Sequence, residues 1–450
     1  MAIELRDLRR YVKQCDPQRP LPAGDPLYVP LDEGPAAVRG NLSCVDALYK
    51  TIAYDDTESC QLLTGFLGTG KTTELKRLED KLTHAKDLPT HTIYVDFEEY
   101  IDRYAPISIS DILRVIAYCM DREATIAEGG DPDKNPGYLK RFYELIQGTS
   151  AELKGVTFET YGTQLMLEIK NNPSFRRRAE EALEGRFQKF ARDAQDVMAQ
   201  SVVRLRKAPG SHAQRVVVIA DGLEKLTPLR EEDRKTMEAG VETVFLAHRD
   251  FLRLPCHVIY TFPLWLRFRT AQLGIGFGRE PLILPMVKIR ELDGTPYEAG
   301  IAKLTEMIRL RVENLSVLFG SDPSATLRPL IEASGGYPRD LLRMVRSLLF
   351  DAKEFPIRVE DTERVIRELA RSYEDTLWGT YLDVLAHVAR THKLPKDDPT
   401  KMALFGNLFE RWLILAYRNG EEWYDLHPLV RKAPIVQEYL AKTAPETASQ

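Results

Sequence analysis

The stretch Gly65-Phe66-Leu67-Gly68-Thr69-Gly70-Lys71-Thr72 fits the pattern G-x-x-x-x-G-K-[ST]. Each part of it answers a chemical need. Glycines carry no Cβ, so successive backbone N–H groups can curl inward around phosphate oxygens. A helix that starts at the end of such a loop turns its positive N-terminal end toward the same anion. Lys71 is then the partner of the β- and γ-phosphates, and the Thr72 hydroxyl is a ligand for Mg²⁺. The surroundings agree. Residues 61–64 read as a short apolar strand entering the loop. Leu75, Leu78 and Leu82 share one face of the helix leaving it, so Thr73 lies in its first turn.

A loop of this kind needs an acid from a second strand. The run Val216-Val217-Val218-Ile219-Ala220 is wholly apolar and delivers Asp221 at its C-terminal end, the edge where ligands bind in open α/β sheets. Asp221 is the expected Mg²⁺-organising residue, and Glu224 the expected group to polarise an attacking water. A further strand, residues 92–97, stands between the loop and this one and ends in Asp96, read as a turn former. That insertion places the chain in the P-loop division that usually hydrolyses ATP. Residues 257–262 form another strand, and Thr261 near its end is a candidate sensor of the γ-phosphate.

Outward from this core, residues 1–14 predict a short helix, and Pro17, Pro20, Pro22, Pro26, Pro30 and Pro35 predict an extended arm over 1–40. Residues 42–53 predict a helix, 112–120 another, and 124–138 a loop. An inserted β-hairpin is expected over 156–169, and one long charged helix from Pro173 to about Lys207. Residues 282–289 predict a fifth strand. Strands separated by helices imply a parallel sheet covered on both faces. From Pro296 the pattern is helical: 297–313, 323–333, 338–352 and 359–372. Helices then precede a hairpin turning at Asn419-Gly420, the order of a winged helix. The expected organisation is an arm over 1–40, an ATPase core over 41–295 with an insertion at about 105–210, a helical lid over 296–372, a winged helix over 373–436 and a tail over 437–450.

With 62 Lys and Arg against 67 Asp and Glu among 450 residues, the formal charge is −5, which disfavours a protein that coats nucleic acid by bulk charge. Hydrophobic residues at 44% exclude a disordered chain, and the longest apolar runs are short, as in 216–220, so no segment is expected to span a bilayer and no membrane partner is expected. The five cysteines show no ligand spacing. A charged N-terminus without an apolar signal core leads to a cytoplasmic assignment.

The loop, the hhhhD-G-L-E strand end, the strand ending in Thr261 and Ser334-Gly335-Gly336-Tyr337-Pro338-Arg339 together resemble the AAA+/STAND group of ATPases, with the Orc/Cdc6 branch close by. The resemblance implies an α/β fold with sheet order 5-1-4-3-2, a helical lid and a winged helix. It implies ATP or ADP and Mg²⁺ as ligands. In STAND proteins a G-x-P motif in the lid contacts the nucleotide, which assigns Pro338 here. Arg339 stands where Orc/Cdc6-like proteins place a lid arginine. Val38-Arg39-Gly40 resembles, in reversed order, an element lining the adenine pocket, which makes Arg39 a candidate. His427 is a candidate for the winged-helix histidine that touches the ADP β-phosphate. Arg249, Arg253, Arg267 and Arg269 occupy places from which an arginine finger is projected.

The implied activity is a regulated ATPase switch, coupled to self-assembly or to a protein partner. A role in prokaryotic signalling or antiphage defence is the analogy that follows. The alternatives are a DNA-binding Orc/Cdc6-like or transposition-regulating ATPase, and a nucleotide-binding scaffold with little hydrolysis. Glu421 and Glu422 at the hairpin disfavour DNA, since a reader would need a basic wing.

Overall fold

The computed structural model describes residues 3–34, 37–40, 42–134, 137–147, 162–270, 272–352 and 354–443. It contains a five-stranded sheet and a separate two-stranded one. The larger sheet has the order β2-β3-β4-β1-β5, from β1 (Cys60–Gly65), β2 (Thr90–Asp96), β3 (Arg215–Asp221), β4 (His257–Thr261) and β5 (Leu282–Leu284). Read from the other edge this is the 5-1-4-3-2 order expected from the resemblance. The pairs β1–β4, β3–β4 and β2–β3 are parallel. In β3 the residues from Val216 to Ala220 are all fully buried, as a strand covered on both faces must be.

The chain divides into two compact units. One comprises residues 47–64 and 77–282, and the other residues 1–46, 65–76 and 283–450. The first carries β2, β3, β4 and most of β1, with the helices that follow β2. The helix Ile109–Ala127 starts at a capping box in which the Ser108 side chain accepts from the Asp111 N–H and Asp111 reaches back to the Ser108 N–H. It is longer at both ends than the apolar run alone indicates: this cap fixes the start, and the helix runs on through Ala127 into the segment expected as a loop.

Two expectations for the insertion are corrected. The segment Gly162–Asn171 is a helix, not the second arm of a hairpin. Its buried residues Leu165, Met166 and Ile169 follow helical spacing. The part of that hairpin over 156–161 lies outside the described residues. The charged helix is two helices, Pro173–Leu183 and Phe187–Lys207, because Gly185 adopts a left-handed φ of 70° between them.

The second unit holds the arm, the loop after β1, and all that follows β5. Its helices include Leu5–Gln14, Glu298–Arg311, Ser324–Ser334, Pro338–Asp351 and Val359–Glu374. Its strands are β6 (Ile414–Asn419) and β7 (Glu421–Leu426), antiparallel, with Gly420 at φ 93° in the turn. The strand expected over 282–289 ends at Leu284. Beyond it, the backbone serves three different neighbours in turn. Met286 N–H donates to the Ala416 carbonyl at 2.9 Å, Val287 N–H to Gly336 at 3.2 Å, and Lys288 N–H to Val38 at 2.9 Å. This short segment thus joins the hairpin, the helices and the arm.

Candidate nucleotide-binding site

The loop after β1 lies wholly in the second unit. Gly68 and Gly70 adopt left-handed backbone, φ 85° and 99°, which turns their peptides without steric cost. Thr69 closes the turn, its N–H and hydroxyl both directed at the Phe66 carbonyl, at 3.3 and 2.9 Å. The Lys71 ammonium is buried and donates to the carbonyls of Gly65 and Phe66 at 3.0 and 2.9 Å. The helix Lys71–Thr83 then begins, so Thr72 and Thr73 occupy its first turn. A cation, paired glycine peptides and a helix start suit a polyphosphate, and the Thr72 hydroxyl suits a hard divalent cation.

The arm, the helices and the C-terminal segment all reach this loop. Arg39, fully buried, donates to the Thr69 carbonyl at 2.7 Å and to Glu74 at 2.8 Å. Burial works against its charge, but Glu74 and Asp32 outweigh it and raise the pKa further. Tyr28 donates to Glu74 at 3.2 Å, and Leu21 N–H donates to the Thr73 hydroxyl at 3.1 Å. Tyr337 O–H donates to the Leu67 carbonyl at 2.6 Å, and the Trp412 indole N–H to the same oxygen at 3.3 Å. The two rings stack, with centroids 5.9 Å apart and an interplanar angle of 22°. Phe66 meets Phe409 edge to face at 5.7 Å. The Arg339 guanidinium lies against Gly68, where a Cβ would fall 2.3 Å from its Nε.

Gly336 and Pro338 serve the backbone. A Cβ on Gly336 would fall 1.9 Å from the Val287 carbonyl oxygen. Pro338 is the first residue of its helix, where a missing N–H costs nothing. His427 is buried and caps the helix Pro428–Lys432, its Nδ1 accepting from the Leu429 N–H at 3.3 Å. Its Nε2 lies 3.3 Å from Asp340, and its ring stacks on Tyr373 at 4.2 Å. Tyr373 donates to the same carboxylate at 2.7 Å.

In the other unit, Thr64, Asp221 and Thr261 stand at the C-terminal ends of adjacent parallel strands, and Asp96 is in register with Asp221. Asp221 is fully buried. One of its oxygens accepts from Tyr94 O–H at 2.7 Å, the other from the Gly222 N–H at 2.9 Å. Burial and then the Asp221 charge push the Tyr94 phenol up, so it remains a donor. Gly222, at φ 96°, opens the turn Leu223–Lys225 that carries the buried Glu224. The Thr261 hydroxyl accepts from the Leu223 N–H at 3.2 Å and so fixes that turn. Lys225 pairs with Glu98 at 2.5 Å; burial works against its charge, but Glu98, Asp221 and Glu224 raise its pKa. Asp96 accepts from the Glu98 N–H at 3.0 Å, as a turn former does.

Of the finger candidates, Arg253 donates to the Gly276 carbonyl at 2.9 Å, Arg269 pairs with Glu238 at 2.5 Å, and Arg267 lies over the Phe268 ring at 5.6 Å. Arg249 packs on Gly276, where a Cβ would fall 3.0 Å from its Cδ.

The sheet order decides the fold. β1, which carries the glycine loop, is flanked by β4 and β5, and β4 separates it from the strand of Asp221. This is a P-loop NTPase fold of the division with the additional strand. No protein-family model matches the chain, and no curated protein does. Among solved structures, this P-loop chain is similar to a Walker-type ATPase of Pyrococcus abyssi, at 14% identity and TM-score 0.38, covering 86% of this chain and 93% of that one. It is also similar to the Orc1 protein of Aeropyrum pernix, solved in complex with DNA, at 15% identity and TM-score 0.36, covering 91% and 95%. A third is Cdc6p of Pyrobaculum aerophilum, at 10% identity and TM-score 0.35, covering 88% and 92%.

Tyr337, Trp412, Glu74 and Tyr94 are among the residues at these sites that sequence reading left unassigned. Tyr337 stood inside the quoted Gly336-Tyr337-Pro338, and Tyr94 two residues before Asp96 on the same face of β2. Trp412 carries no local signal.

Proposed function

We propose that the chain binds ATP with Mg²⁺ and hydrolyses it, acting as a nucleotide-dependent switch. The observation that carries this reading is the loop itself: left-handed Gly68 and Gly70 ahead of a buried Lys71 at a helix start. Lys71 neutralises charge on the β- and γ-phosphates. Thr72 and Asp221 are the residues for Mg²⁺, which when bound disperses the charge developing on the phosphoryl oxygens. Glu224, held on a fixed turn, orients the attacking water and takes its proton. Arg339, beside Gly68, is a second cation for the phosphates.

The helices and hairpin after β5 serve as the lid and winged helix of the switch, so that ATP and ADP favour different arrangements. The output is self-assembly or binding of a protein partner in the cytoplasm, and the resemblance to STAND proteins extends this to signalling or antiphage defence. DNA contact through the hairpin is the alternative. Glu421 and Glu422 weigh against it, because a wing that reads DNA needs basic residues.

The test is phosphate release from Mg·ATP. Wild type is expected to turn over, Lys71→Ala to lose both binding and turnover, and Glu224→Gln to bind ATP without releasing phosphate. Turnover that survives Lys71→Ala would overturn the assignment. Identical mass and shape with ADP and with a non-hydrolysable ATP analogue would overturn the switch alone.

A further inference from the structure

Alternate carbonyls of the glycine loop are tied by side chains from remote parts of the chain. The Leu67 carbonyl accepts from Tyr337 and Trp412, and the Thr69 carbonyl accepts from Arg39. In a trans peptide the C=O and the following N–H point in opposite directions. Fixing the Leu67 carbonyl therefore fixes the Gly68 N–H, and fixing the Thr69 carbonyl fixes the Gly70 N–H. Those peptides are the ones that most need fixing. Each precedes a glycine in left-handed backbone, and glycine crosses between positive and negative φ at little cost, so each could flip and present oxygen to an anion.

The tethers are themselves well anchored. Arg39 is paired with buried Glu74 at 2.8 Å. Tyr337 is fully buried, and burial pushes its phenol up, so it stays a donor. Trp412 adopts φ 52°, a conformation that a bulky residue holds only where its surroundings impose it. The Trp412 N–H bond to Phe409 and the Leu413 N–H bond to Leu408 over-determine that turn and aim the indole at Leu67.

We propose that Arg39, Tyr337 and Trp412 are positioning residues that orient the phosphate-binding N–H groups of the loop before any nucleotide arrives. The inference rests on the reading of the loop as a nucleotide site and adds what sets its geometry. Affinity for the β-phosphate then depends on the seating of a residue in the C-terminal segment, more than 300 residues from the loop (|i−j| 345). A partner that draws Trp412 away loosens the nucleotide without touching it.

Trp412→Phe keeps a ring to stack on Tyr337 but removes the N–H donor together with one ring of the indole, so the hydroxyl variant is the cleaner of the two. Tyr337→Phe removes only the hydroxyl. The full-length variants would be titrated with a fluorescent ADP analogue, and pyrophosphate used to compete it off. Each variant is expected to weaken ADP and pyrophosphate by the same factor, about three- to tenfold, as for loss of one hydrogen bond. The melting temperature without nucleotide should stay within about 2 °C of wild type, the fold being unaltered. Unchanged ADP affinity overturns the proposal. So does a loss for ADP that spares pyrophosphate, which would place the defect at the base. Failure of pyrophosphate to compete with wild type overturns it too, since a loop fixed in advance holds phosphates without the base. Failure of wild type to bind ADP at all would instead sink the nucleotide reading.

Discussion

Arg39 and Glu74 meet at 2.8 Å with their side chains only 2% and 3% exposed, joining the N-terminal arm to the helix that follows the glycine loop. A buried ion pair is dear to break, because the partner left behind keeps its charge without water or counter-charge. Arg39→Ala is expected to destabilise the chain by about 3–5 kcal/mol in urea titration. Replacing both, as Arg39→Met with Glu74→Leu, should recover much of that loss while leaving ADP binding weakened, since Thr69 loses its donor. A cost below about 1 kcal/mol for Arg39→Ala would show that the pair is as weak as a surface one.

Tyr94 and Asp221 form the corresponding contact in the other unit, at 2.7 Å. The hydroxyl holds one carboxylate oxygen and the Gly222 N–H holds the other, so both oxygens of Asp221 are oriented by a donor. Tyr94→Phe is expected to raise the Mg²⁺ concentration for half-maximal ATP binding about three- to tenfold. Nucleotide binding in EDTA should be unaffected. Equal losses with and without Mg²⁺ would mean that the phenol supports the strand rather than the carboxylate.

The glycine loop and the strand of Asp221 were legible because their signals are local: fixed spacing in one case, an unbroken apolar run in the other; the sheet order came only with the family resemblance that those motifs carry. The insertion was less so. Buried Leu165, Met166 and Ile169 follow a helical spacing that short alternations around them obscure, and Gly185 breaks what charge pattern alone presents as one helix. The tethers on Leu67 and Thr69 were not legible as such. Arg39 was flagged for the adenine side, and Trp412 owes its reach to a left-handed backbone that no neighbouring residue type demands. Contacts made across |i−j| of 30 to 345 leave no periodic trace in sequence.

Gly336 shows how one missing Cβ holds the second unit together. Its carbonyl accepts from the Val287 N–H at 3.2 Å, and a Cβ at this position would lie 1.9 Å from the Val287 carbonyl oxygen. The φ of 79° adds backbone strain for any other residue. Gly336→Ala is therefore expected to cost about 2–4 kcal/mol by combining overpacking with strain. Because Tyr337 is the next residue, the variant should also weaken ADP. Gly278, at φ 77° with nothing within 4 Å of a Cβ, is the control, where alanine costs only the backbone strain. Equal costs at the two positions would show that the close approach to Val287 is relaxed without penalty.

The stability of the sheet should fall on mild acidification, and His257 accounts for part of it. Its Nδ1 accepts from the Ser59 N–H at 3.1 Å, and its Nε2 lies 3.3 Å from an Arg215 guanidinium nitrogen. Burial, and then the Arg215 charge, lower its pKa; Glu58 and Asp55 oppose this, and Arg206 adds to it. The sign follows from proton uptake. An unfolded histidine binds a proton at about pH 6.5, whereas the folded one resists until lower pH. Stability is thus full above that value and declines as pH falls toward the folded pKa. His91, lowered chiefly by burial, acts in the same direction. The melting temperature of wild type is expected to drop between about pH 7 and pH 5.5. His257→Gln, which keeps a polar side chain but cannot titrate, should flatten part of that slope and leave the remainder to His91. A slope identical to wild type in His257→Gln would mean that the ring accepts its proton as easily in the folded sheet as in the unfolded chain.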